Sequence, residues 1–276
     1  MSESKVHITD EELEEVLAVI NKLYGYDFTD YSRTSMYRRV TRFMYDEGFK
    51  TFNDLKYNVI NDKAVFDFFL QRITVNVTEM FRDPEFYKAL KQNVIPVLAT
   101  YPIIKIWHAG CSSGEEVFST AIFLHEAGLL QRCRIYATDI NPKNIEKAKK
   151  GILPLEVMKE YVSNYIKAGG EEDFASYYTA NYNNAIIRRE LRDNILFSQH
   201  NLVTDQVFNE FQLIFCRNVM IYFNRQLQNK VMRLFHASLS NFGYLVLGLK
   251  ESVLFSDIKN KFEEVCIQEK IYRRRY

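Results

Sequence analysis

Two glutamates directly behind a glycine turn set the first chemical constraint on this chain. In Ile106-Trp107-His108-Ala109-Gly110-Cys111-Ser112-Ser113-Gly114-Glu115-Glu116 an apolar strand runs into a tight turn and then a helix start. In open α/β sheets that position is the ligand crevice at the strand C-termini. Gly110 and Gly114 let backbone approach a ligand closely. A dinucleotide fold would place pyrophosphate on the helix N-terminus. Here Glu115 and Glu116 stand there, and two carboxylates repel a diphosphate. A ligand with a positive amino group and no phosphate fits better, and S-adenosylmethionine is one. The same residues also fit a plain strand-to-helix turn whose glutamates complement the helix dipole.

Asp139 adds to the ligand reading. It ends the next apolar strand, where a carboxylate can hold both ribose hydroxyls of an adenosine. It can equally cap the helix that begins near Pro142. Asn201-Leu202 follows a third strand and offers one polar side chain and backbone groups to an adenine edge, or simply makes a turn. In Phe215-Cys216-Arg217-Asn218-Val219-Met220-Ile221-Tyr222-Phe223 another strand ends on Arg217 and Asn218, with Tyr222 close behind. Ahead of all these, Asn76-Val77-Thr78-Glu79-Met80-Phe81-Arg82 alternates polar and apolar residues, so Asn76 and Thr78 share one face.

The elements that must position these residues read as follows. Thr9 and Glu12 form a capping box, Leu13, Val16, Leu17 and Ile20 follow at helical spacing, and Gly25 ends the run. Further helices are expected at about 32–47, after Thr51 and after Asp62, a helical bundle over residues 1–75. Asp83-Pro84 then opens a helix, with Asp83 as its cap. From there strands at 103–108, 134–138, 195–198, 213–216 and 244–247 alternate with helices, and 262–266 with 270–274 suggest a closing antiparallel pair. This predicts an α/β domain over 76–276 with a mostly parallel sheet covered on both faces. Residues 170–190 break the rhythm, either as a small β insertion or as a long loop.

Composition narrows the functional classes. The 276 residues are 47% hydrophobic and 26% charged with a net charge of +1, a globular balance that suggests no nucleic-acid partner. Cys111, Cys133, Cys216 and Cys266 form no CxxC pair, so no metal site is expected and reduced, buried thiols are. The opening Met-Ser-Glu-Ser-Lys has no apolar stretch of a signal peptide, and no run is long enough to span a membrane, so a cytoplasmic protein is expected.

Together these stretches resemble the chemotaxis receptor methyltransferases, the CheR family. Asn76–Arg82 is similar to that family's Asn-x-Thr-x-Phe-Phe-Arg signature. The Ser-Ser-Gly-Glu-Glu loop, Ala137-Thr138-Asp139-Ile140, Asn201-Leu202 and Cys216–Phe223 follow in the family's order. The match runs from about residue 10 to the C-terminus, which five ordered motifs make far more specific than any one does. It departs at Met80, at Val117-Phe118, and at Gly248-Leu249-Lys250-Glu251-Ser252, where the family carries a Gly-His-Ser-Glu run.

The resemblance implies a helical N-terminal domain and a Rossmann-like methyltransferase domain with a small β subdomain. It implies S-adenosylmethionine as cofactor and S-adenosylhomocysteine as product. Cofactor contacts fall on Asn76, Thr78, Arg82, Glu116, Asp139, Asn201, Leu202, Arg217 and Asn218, to which the glycine turn adds Gly110. Arg82 and Tyr222 would lie near the reacting methyl. The activity implied is methyl-ester formation on glutamates of chemoreceptors, by a monomer acting on their cytoplasmic helical region. Arg38, Arg39 and Arg42 give the second helix a basic face for those acidic helices, or a merely solvated face, while Met36, Val40, Phe43 and Met44 look inward. Two other readings stay open: a different methyl acceptor, or a cofactor-binding signalling module without turnover.

Overall fold

The computed structural model describes residues 8–74 and 76–276 and divides into two compact units. The N-terminal pentapeptide of the signal-peptide argument lies outside the described residues.

The first unit takes the described residues through Thr74 together with Tyr222–Lys230. Its helices are α1 (Asp10–Tyr24), α2 (Arg33–Asp46), α3 (Phe52–Asn61) and α4 (Lys63–Ile73). Local chemistry sets the starts and stops. Capping boxes at Thr9/Glu12 and Thr51/Asp54 open α1 and α3, Asp62 caps α4, and Gly25 closes α1 at φ 75°. The apolar stripes are then buried: Leu13, Val16 and Ile20 on α1, Met36, Val40, Phe43 and Met44 on α2, and Phe66, Phe69 and Leu70 on α4, with α1 packed on α3, and α2 and α3 on α4. Residues 222–224 join by backbone pairing. Ser32 N–H donates to the Tyr222 carbonyl at 2.7 Å, and Asn224 N–H to Asp30 at 2.8 Å.

The second unit takes Asn76–Ile221 and Val231–Tyr276. Its helices are α5 (Pro84–Asn93), α6 (Ile95–Leu98), α7 (Glu115–Glu126), α8 (Pro142–Lys150), α9 (Met158–Lys167) and α10 (Arg189–Arg192); α11 (Arg225–Ser238) ends in it. A central sheet has the order β6-β2-β1-β7-β8-β10-β9. Its strands are β1 (Ile104–Ala109), β2 (Cys133–Asp139), β6 (Ile195–Gln199), β7 (Phe211–Cys216), β8 (Leu239–Leu247), β9 (Phe262–Cys266) and β10 (Ile271–Arg274). The first five are parallel, and β10 lies antiparallel between β8 and β9. The order reverses between β1 and β7, which opens a crevice beyond their carboxyl ends.

Residues 170–190 form a hairpin, β4 (Tyr178–Asn181) and β5 (Asn184–Ile187). It is completed by β3 (Ile152–Pro154) into a three-stranded antiparallel sheet. A three-residue strand ending on proline carries no readable alternation, so β3 had no sequence signal. All four cysteines are free; Cys266 is half-buried rather than buried. Among the described residues no helix is long and apolar enough to cross a membrane.

Candidate functional site

The parallel strands deliver their last residues to one edge, and the loops there are built around buried carboxylates. Asp139, 8% exposed, ends β2. Its Oδ2 accepts Ser112 N–H at 2.8 Å, and its Oδ1 accepts Asn141 N–H at 2.9 Å and the Asn144 amide at 3.1 Å. Asn144 also donates to Asn76 Oδ1 at 2.7 Å, and His200 N–H reaches the Asp139 carbonyl at 3.2 Å. Asp139 thus ties the Gly110–Ser113 turn and the start of α8 through its carboxylate, the approach to Asn201 through its carbonyl, and Asn76 by way of Asn144. Burial pushes the Asp139 carboxyl up, against the pull of these donors. Oδ1 already takes two donors, while Oδ2 takes one and keeps acceptor capacity for a ligand hydroxyl. The helix starting at Pro142 is capped by Asn141, not by Asp139.

The second node is ionic. Arg217, whose side chain is 1% exposed, follows β7. It donates to Glu116 Oε2 at 3.0 Å, to Asp83 Oδ2 at 2.7 Å and to the Arg82 carbonyl at 3.2 Å, and lies 4.2 Å over the Phe86 ring. The other oxygen of Glu116 meets His108 Nδ1 at 3.0 Å. Burial would raise the Glu116 carboxyl, yet the hydrogen bond from His108 and the Arg217 charge hold it below the ordinary carboxylate range. Asp83 departs from its expected role. It sits at φ 58° and makes no side-chain cap to α5, because its carboxylate is spent on Arg217.

The third node is Glu251, 5% exposed. Its Oε2 accepts the N–H groups of Gly248 at 2.7 Å and Asn218 at 2.9 Å, and its Oε1 those of Val219 at 2.9 Å and Ile221 at 3.2 Å. These bonds hold Asn218 left-handed at φ 62°. Ser112 at φ 50° and Phe81 at φ 53° are likewise secured through their amides, by Asp139 and by Ser119 Oγ at 3.0 Å. Such backbone costs about 1–3 kcal/mol per residue and persists only where its surroundings over-determine it. Glutamine at 251 keeps one accepting oxygen and turns an amide toward two N–H groups. Glu251→Gln should therefore cost about 2–5 kcal/mol, read as a melting temperature lower by about 5–15 °C, with weakened cofactor binding in calorimetry.

The expected site residues distribute as follows. Asn76, Glu116, Asp139, Arg217 and Asn218 join the three nodes; Thr78 is half-buried beside Asn76. Gly110, at φ 84°, makes its close approach to protein rather than to open space: a Cβ there would lie 2.4 Å from Val219 Cγ2. Asn201 folds into a turn, its side-chain oxygen taking Val203 N–H at 2.9 Å, and Leu202 is buried. Arg82 is half-buried, and among the described residues its guanidinium has no salt-bridge partner. Tyr222 belongs to the helical unit, where the Arg39 guanidinium sits 4.4 Å over its ring. Arg39 also donates to the Ile73 carbonyl, so it turns inward, while Arg38 and Arg42 stay exposed. His108, Glu251, Asp83 and Ser119 were not foreseen. For His108 and Ser119 the signal is a polar side chain inside an otherwise apolar run, which pattern reading assigns to no role; Asp83 and Glu251 stand in polar loop sequence and carry no such signal.

The nodes fit S-adenosylmethionine. Ser112 Oγ and Arg217 Nε are buried without a partner, as atoms awaiting a ligand are. Arg217, the one buried arginine or lysine among the described residues, is spent on two carboxylates, so the crevice suits a cationic ligand and offers little to a phosphate. Comparison with known proteins agrees. The description "CheR methyltransferase, SAM binding domain" matches residues 76–271, and "CheR methyltransferase, all-alpha domain" matches residues 11–74. A Pseudomonas putida protein provisionally named methyltransferase Cher3 is 48% identical over 96% of this chain and 97% of its own length. A Listeria innocua chemotaxis protein methyltransferase is 32% identical over 86% of this chain and 88% of its own. The Escherichia coli protein of that name is 28% identical over 94% and 89%. Among solved structures, the N-methyltransferase NodS of Bradyrhizobium japonicum with S-adenosylhomocysteine aligns at a TM-score of 0.40 and 13% identity, over 80% of this chain and 97% of its own.

Proposed function

We propose, from the premise that this chain belongs to the CheR methyltransferase family, that it methylates glutamate side chains of chemoreceptors to give methyl esters for sensory adaptation. The family supplies the S-adenosylmethionine-binding domain; the relatives named as chemotaxis methyltransferases support the pathway. The acceptor rests on one observation, the half-buried Arg82 guanidinium with no salt-bridge partner among the described residues, covalently next to an Asp83 already bound to Arg217.

When bound, the cofactor supplies an electrophilic methyl group on a sulfonium. This chain's residues then have to bind, orient and exclude water. Asp139 would take the ribose hydroxyls, and Glu116, held by two neighbours, would face the cationic end with Asn218 and Asn76. A glutamate acceptor has an ordinary pKa of about 4.3 and arrives ionised, so no general base is needed. Arg82 would keep that carboxylate charged as it leaves water, and Tyr222 would donate to it, a role taken from the sequence resemblance. The rate gain is then mainly positional, a source worth roughly 7 kcal/mol or more. On the helical unit, exposed Arg38 and Arg42 would meet acidic receptor helices, with Arg39 steadying Tyr222.

The test is transfer of tritiated methyl from the cofactor to receptor-bearing membranes of the host. Label released as methanol by mild base supports glutamate esters. Base-stable label, or label on another acceptor, sinks the proposed acceptor; tight cofactor binding with no transfer sinks turnover.

A further inference from the structure

His108 lies on β1 with no exposed surface. It pairs in register with Phe215 of β7, across the point where the sheet order reverses, and the two rings stack at 4.2 Å and 11°. Its Nδ1 is 3.0 Å from Glu116 Oε1, and its Nε2 is buried with no partner. A ring that bonds a carboxylate through one nitrogen carries its hydrogen there, so Nδ1–H donates to Glu116. Glu116 is therefore gripped from both sides, Oε1 by His108 and Oε2 by Arg217. Arg217 is shared with Asp83, from the segment before α5, and by itself would leave Glu116 free to swing toward that side.

We propose that His108 is a positioning residue for S-adenosylmethionine: it fixes the Glu116 carboxylate that faces the cofactor and makes no contact with the cofactor itself. The inference rests on the cofactor reading of this site. It deepens that reading by making affinity depend on a side chain behind the first layer of contacts. Partners of this kind commonly set the orientation and basicity of the group they hold. The stacking on Phe215 supplies what such a role needs, a ring with one available orientation.

Calorimetric titration of S-adenosylhomocysteine into the whole protein tests it. His108→Leu should weaken binding about tenfold or more, since it removes a hydrogen bond to a charged group. His108→Asn, whose amide nitrogen replaces Nδ1, should stay within about threefold of the parent. His108→Leu combined with Glu116→Gln should bind no worse than Glu116→Gln alone, because one residue acts through the other. At saturating cofactor the His108→Leu turnover should match the parent while KM for the cofactor rises. Unchanged binding by His108→Leu, an Asn variant as weak as Leu, or additive losses would overturn the proposal. Absence of binding by the parent protein would instead overturn the cofactor reading. Should the Leu variant not fold, nitrogen-15 spectra of the parent imidazole decide: a proton on Nδ1, with shifts that move on adding S-adenosylhomocysteine, supports it, and a proton on Nε2 alone refutes it.

Discussion

Arg217→Met is expected to lose about 3–5 kcal/mol of stability and most cofactor affinity together. The side chain is 1% exposed and serves Glu116, Asp83 and the Arg82 carbonyl at once. Methionine fills the volume but leaves two partly buried carboxylates without their cation, the costly way to break such a network. For a chain of this size that corresponds to a melting temperature lower by roughly 6–20 °C. The deficit should depend on pH, and its sign follows from Glu116. In the parent, His108 and Arg217 overcome burial and hold that carboxyl low, so its stabilising contribution is present above its unfolded pKa and is lost as pH falls through the folded one. In the variant, burial dominates and the carboxyl moves up. The gap between the two proteins should therefore be widest near neutrality and narrow as pH drops, first through the raised carboxyl of the variant and then, below about 4.3, through the lowered one of the parent. Arg217→Lys should fall between them, since an ammonium keeps the charge but not the fork that spans both carboxylates. Melts of equal depth at every pH would contradict this account.

The backbone scaffold was largely legible in the sequence because its signals are local. The capping box at Thr9 and Glu12, the Gly25 stop and five apolar strands each announce themselves within a few residues. The residues that line the crevice were legible as types, since strand ends in an α/β sheet collect ligand-binding side chains. What sequence could not give is which side chain holds which. Glu251 meets Asn218 from 33 positions away, and Arg217 finds Asp83 across 134. Nothing periodic links such pairs; only the sheet order brings them together. The same limit hid the inward turn of Arg39. At helical spacing it shares the exposure of Arg38 and Arg42, but the Ile73 carbonyl and the Tyr222 ring draw it in. Asp83 was misassigned for a related reason: a cap is the local use of an aspartate before proline, and the distant guanidinium outbids it with a full charge.

Arg82→Ala should leave the fold and the melting temperature nearly unchanged and cut methyl transfer about 100-fold. The separation follows from what each part of the residue does. Its carbonyl belongs to the Arg217 network and survives any side-chain change. Its guanidinium holds nothing up, having no salt-bridge partner among the described residues, though it lowers the carboxyl of nearby Glu79, which burial and Glu160 push up. Removing it therefore gives up no salt bridge, only the attraction to Glu79, and forfeits one charged hydrogen bond to an incoming carboxylate. It also forfeits the aim that bond gives, and misplacement of a nucleophile by an ångström is enough for a loss of this size. Because the acceptor must shed water before it reacts, the missing charge also lets its pKa rise and thins its reactive form. The Ala variant should accordingly recover part of its deficit as pH is raised, whereas the parent stays flat over the same range. Arg82→Lys should recover turnover partly at all pH values. A purified Ala variant with parental turnover would remove Arg82 from the acceptor site, and one that fails to fold would show that its guanidinium carries structure after all.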